Sequence, residues 1–70
     1  MKKTFEISVY NRDVRADVQA GRQHDSLDSS WADVHLIEIK AQTEQEAQLH
    51  CRRKHPERLG FVIGDALEVA

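Results

Sequence analysis

Seventy residues with one cysteine, 40% hydrophobic and 31% charged residues and a formal charge of −2 describe one small globular domain. That balance excludes disorder over the whole chain, a single Cys51 excludes an internal disulfide, and a pI of about 6.0 removes any global pull toward nucleic acid or anionic lipid. No stretch approaches the roughly 18–20 apolar residues of a membrane span, so a cytoplasmic protein without membrane contact is the expectation.

Met1-Lys2-Lys3 is basic like the start of a signal peptide, but the following Thr4–Arg12 contains Glu6 and no unbroken apolar run. Lys3 to Tyr10 instead alternates, with Phe5, Ile7 and Val9 in one phase and Thr4, Glu6, Ser8 and Tyr10 in the other. This is the pattern of a half-buried first strand over residues 3–10. Asn11 is a good helix N-cap, and Asp13–Ala20 reads as a short helix over residues 12–20. Alternation of Val14, Ala16, Val18 and Ala20 offers a competing strand, against which Asp13 at the positive end and Gly21 as a stop both favour the helix.

Residues 21–30, GRQHDSLDSS, form a polar loop in which Leu27 is the one anchor and Asp and Ser side chains compete for the backbone. It is the segment expected to be mobile. A second strand follows over residues 32–41, but its apolar period slips: Val34 and Leu36 share one phase, Ile37, Ile39 and Ala41 the other. Either a bulge sits near Leu36-Ile37 or the strand carries apolar groups on both faces.

Thr43 and Glu46 have the T-x-x-E spacing of a capping box, which starts the main helix, residues 43–54. Acids in its first turn, Arg52, Arg53 and Lys54 in its last, and Pro56 after His55 bound it. Its apolar face is narrow, with Ala47 and Cys51 a turn apart and Leu49 nearly opposite. Phe61-Val62-Ile63 make a third strand, residues 60–64, before a Gly64-Asp65 interruption and a last apolar piece, Ala66–Val69.

These elements predict an α+β domain: a three-stranded, mainly antiparallel sheet of order 2-1-3, the main helix between strands 2 and 3, and the short helix between strands 1 and 2. The first strand then fills the middle slot, antiparallel to both neighbours. A parallel first pair, with residues 11–30 as a true crossover, is the alternative.

No catalytic residue, cofactor or metal site is expected. His50, Cys51 and His55 lie close on one helix, but zinc needs four ligands and no second half-site exists. Cys51 beside Ala47 reads as a small core residue rather than a nucleophile. Asp25, Asp28, Ser29 and Ser30 lack the calcium-loop pattern, and phosphate-binding and hydrolase motifs are absent.

What remains is a surplus of apolar positions. One helix covers one sheet face, leaving Trp31, Val34, Leu36 and Leu49 as the expected partner-binding residues unless segment 11–30, through Val14, Val18, Leu27 and Trp31, folds over the excess. The leading expectation is a small non-enzymatic interaction or accessory protein that binds another protein, or itself through an edge strand. The alternative is a nucleic-acid-associated protein using Arg52, Arg53, Lys54 and Arg58 at the helix C-terminus. It ranks second, because cations there also simply stabilise the helix and aromatics for base stacking are few.

Overall fold

A computed structural model describes residues 1–69. Strand β1 (Lys3–Asn11) runs between β2 (His35–Ala41) and β3 (Phe61–Val69), antiparallel to both, so the sheet order is 2-1-3. Helix α1 (Arg12–Gln19) joins β1 to β2, and the longer α2 (Glu44–Lys54) joins β2 to β3. The parallel alternative for the first pair is thereby excluded.

The alternation of β1 decides which side is roofed. Phe5, Ile7, Val9 and Asn11 are buried on the side of α2, paired across the sheet with Ile39, Ile37 and His35 of β2 and with Ala66, Ile63 and Phe61 of β3. Ala47 and Cys51, one helical turn apart, drop from α2 onto this layer and are fully buried. The Thr43 hydroxyl accepts from the Glu46 N–H at 3.1 Å, the first half of the capping box, and His55 N–H closes the last turn on the Cys51 carbonyl.

Two strand boundaries differ from the sequence expectation by more than one residue. β2 begins at His35 rather than residue 32, because the Asp28 carboxylate accepts from the Ser30 N–H and starts a 3₁₀ turn at Ser29–Ala32. Of the two alternatives for the period slip at Leu36-Ile37, the second holds: β2 alternates without a bulge and carries apolar groups in both phases. The irregularity lies instead in β3, where Ile7 faces Ala66 and Val9 faces Ile63, so Gly64 and Asp65 together oppose Ser8. This bulge absorbs the Gly64-Asp65 interruption and lets β3 run on to Val69. The amide of Gln48 on α2 donates to the Gly64 carbonyl at 3.3 Å and ties the helix to it.

Segment 11–30 caps the end of the sheet and does not roof its second face. Val14 is fully buried, Val18 remains 45% exposed, and Leu27 and Trp31 join the cluster beneath α2. Arg15 links the pieces, its guanidinium 3.7 Å from the Tyr10 ring centre and its Nε donating to the Ala32 carbonyl at 2.8 Å. Loop residues 21–30 are held locally by His24 Nδ1, which accepts from the N–H groups of Ser26 and Leu27.

The result is a thin two-layer slab of 45 × 21 × 15 Å with a radius of gyration of 13.2 Å, against about 11 Å for a typical domain of this length. Its second sheet face stays bare, with Leu36 at 62% and Leu67 at 63% exposure.

The Asp28 cap makes a pH prediction. Hydrogen bonds first from the Ser30 backbone and then from its side chain hold the Asp28 carboxyl below its ordinary value. A carboxyl depressed on folding contributes stability above its unfolded value and loses it as pH falls through the folded one. Acid titration followed by NMR should therefore move the Ser30 amide, and Asp28→Asn, which caps without titrating, should abolish that movement.

Candidate interaction surface

Because Ala47 and Cys51 point down, the helix positions beside them fall on the two flanks of α2. His50, Arg53 and Lys54 lie on the flank above β2, and with Ile37 and Ile39 below them they bound a cleft of about 430 Å³. Glu38 and Lys40 belong to the opposite pleat phase, so their contribution to the rim is the edge backbone of β2. His55 closes one end. Among the described residues β2 pairs only with β1, which leaves the N–H and C=O groups of every second residue on its other side without a strand partner there.

The closed end of the cleft is held by an aromatic cluster. Trp31 stacks on His35 with ring centres 4.2 Å apart, meets Phe61 edge to face at 5.3 Å and lies tilted against His55 at 5.6 Å. His55 and Phe61 also meet edge to face at 5.2 Å. Each histidine is oriented by a carbonyl, His35 Nε2 2.9 Å from Ser30 O and His55 Nδ1 3.0 Å from Cys51 O, so these ring nitrogens carry the donated protons. With its Nδ1 proton so placed, His55 is no base for the Cys51 thiol 3.8 Å away.

Burial pushes the Cys51 thiol above its ordinary value, which keeps it protonated and unreactive near neutral pH. Modification then requires opening of the fold. In native chain a thiol reagent is expected to label Cys51 about 100-fold more slowly than in denaturant, the factor set by an opening cost of about 3 kcal/mol. Equal rates would show that α2 does not seal the thiol.

No protein-family model matches this chain, and no curated protein or solved structure is detectably similar to it.

The expected partner-binding residues do not converge. Trp31 packs inward beneath the helix side, Leu36 lies in the phase that faces the bare side of the sheet, and Val34, 55% exposed, precedes the strand. Leu49, 46% exposed, sits on the outer surface of α2. The cations divide as well. Arg53 and Lys54 face the β2 cleft, whereas Arg52 shares the β3 flank with Arg12 and Glu57, and Arg58 stands in the 3₁₀ turn Glu57–Leu59.

His50, Cys51 and His55 stay within one helix end, and among the described residues no group of three or more His, Cys, Asp or Glu side chains is placed to hold a metal. No helix among the described residues is long and apolar enough to cross a membrane. The cleft was hidden in the sequence because Ile37 and Ile39 read as ordinary core positions; only the packing of α2 across β2 turns them into its floor.

Proposed function

We propose that this chain is a small, non-enzymatic interaction module that engages another protein along the free edge of β2. The observation that carries this reading is the asymmetry of the two sheet edges. β3 is disrupted by the Gly64-Asp65 bulge, a device that discourages edge pairing, whereas β2 runs unbroken for seven residues without proline or bulge. An edge of that kind accepts an added strand through main-chain hydrogen bonds. Leu36, exposed on the same strand, and Val34, exposed just before it, supply apolar contact beside it. Cytoplasmic residence belongs to the same reading, since one free thiol suits a reducing compartment.

Nucleic-acid association ranks second, because the cations that reading needs are split between two flanks of α2 and neither flank presents an open aromatic platform. The test is affinity capture with the full chain at low and high salt, followed by hydrogen exchange on the captured complex. Protection gained at alternating amides of residues 35–41 and retained in salt is the expected result. Capture that returns nothing, or protection confined to other elements, would overturn the reading, while steep loss in salt favours the nucleic acid. Sedimentation of the chain alone at micromolar concentration separates a second copy from a different partner.

A further inference from the structure

We infer that the cleft between β2 and α2 receives an acidic, extended segment of a partner protein, laid beside β2 as a fourth strand with its carboxylates against Arg53 and Lys54. The inference rests on the reading of the β2 edge as the interaction surface and specifies what occupies it.

Two observations point to this occupant. The first is shape. The cleft follows four consecutive residues of β2, Ile37 to Lys40, between a free strand edge and a helix flank. A strand added there is held by the edge backbone on one side and is overhung by α2 on the other. About five extended residues, roughly 17 Å, would span the cleft at about 3.4 Å per residue.

The second is charge. Of the charged residues along the cleft, Arg53 and Lys54 stand on the α2 wall beside His50, whereas Lys40 and Glu38 contribute edge backbone. Lys40 and Glu38 point to the bare face, so the overhanging wall itself is cationic. In an added strand, alternate side chains face that wall and the remainder lie on the bare side, beside Leu36, Glu38 and Lys40. The favoured sequence therefore carries acidic residues at every second position, with uncharged residues between them and an apolar one where it meets Leu36.

The same charges disfavour a second copy of this chain. Symmetric antiparallel pairing of two β2 edges makes one continuous sheet and places the two α2 helices on the same face with their Arg53 and Lys54 flanks turned toward each other, where like charges repel. A nucleic acid is disfavoured by the apolar floor of Ile37 and Ile39 and by the engagement of Trp31 inside the fold.

The experiment is an amide NMR titration of the full chain with a blocked peptide of alternating glutamate and valine, five residues long. Shifts confined to Leu36–Lys40 and His50–His55 are expected. A lysine–valine peptide should give none, and N-methylation of alternate peptide amides should abolish binding in one of the two phases. The exposed double substitution Arg53→Glu/Lys54→Glu should weaken the peptide by about tenfold or more, while Leu49→Glu on the outer surface of α2 leaves it unchanged.

Equal binding of the acidic and basic peptides, indifference to N-methylation, or shifts outside Leu36–Lys40 and His50–His55 would overturn the inference. So would cleft shifts produced by a single-stranded oligonucleotide but not by the peptide. If the acidic peptide fails while β2 amides are still protected in a captured complex, the occupant is wrong and the edge reading survives. If both fail, both are wrong.

Discussion

Asn11→Ala is expected to cost about 3 kcal/mol, most of the roughly 3–5 kcal/mol available to a domain of this size. Asn11 is the one polar side chain in the buried class among the described residues. Its Oδ1 accepts from the N–H groups of Asp13 and Val14 at 2.9 and 3.0 Å, capping α1, and its Nδ2 donates to the Leu59 carbonyl at 2.9 Å. One side chain thus joins the end of β1, the start of α1 and the approach to β3. Alanine removes the cap and also leaves a buried carbonyl without its donor, and the two losses add because they fall on different groups. Urea denaturation followed by circular dichroism measures it. Asn11→Asp, which keeps the acceptor and lacks the donor, should lose about half as much. If Asn11→Ala changed stability by less than about 1 kcal/mol, the junction would not be the clamp described.

The partner of that clamp is Gly60, which adopts a left-handed conformation at φ 94° and whose carbonyl accepts from the Arg12 N–H at 2.8 Å. A side chain there would meet the Asp13 carboxylate and lie 2.9 Å from Asn11 Oδ1. Gly60→Ala combines left-handed strain of about 1–2 kcal/mol with displacement of the same cap. Its effect should therefore fall short of additivity with Asn11→Ala.

Trp31→Ala is the second large effect, an expected loss of about 2–3 kcal/mol, the lower end for removal of a large aromatic because Trp31 is only half-buried. The indole is the piece through which the residue 21–34 segment reaches His35, His55 and Phe61, on β2, the end of α2 and β3. Trp31→Phe retains most of the contact area and should cost less than about 1.5 kcal/mol. Leu36→Ala and Leu49→Ala, at exposed positions, should stay within about 0.5 kcal/mol. The same denaturation measurement on all four variants separates the structural residue from the surface ones. Equal effects for Trp31 and Leu36 would mean that the aromatic cluster does not hold the end of the sheet.

The local elements were readable because their signals are short-range. Alternation over Lys3–Tyr10, the Asn11 cap, the Thr43–Glu46 spacing and Pro56 each act within a few residues, and each appears where the pattern placed it. The extension of β3 was not readable, because Gly64-Asp65 ends a strand in isolation and becomes a bulge only when Ser8 of a strand more than fifty residues away lies opposite. The two roles open to Trp31, docking residue or intramolecular cover, could not be separated for a related reason. An aromatic beside a polar loop resembles a docking residue until Phe61 and His55 are brought against it from the other end of the chain.

By itself the amino-acid order determined the element types and the presence of more apolar positions than one helix covers, since periodicity and capping set both. It favoured a 2-1-3 sheet but left the first pair of strands parallel or antiparallel, a choice that only the long-range pairing of β1 with β2 made. Tertiary structure decided which positions remain outside. The buried phase of β1 selects the side of the sheet that α2 roofs, and that choice sends Leu36 to the bare face, leaves Arg53 and Lys54 overhanging Ile37 and Ile39, and puts the bulge on β3 rather than β2. A surface is the complement of packing between distant segments, so no local pattern encodes it.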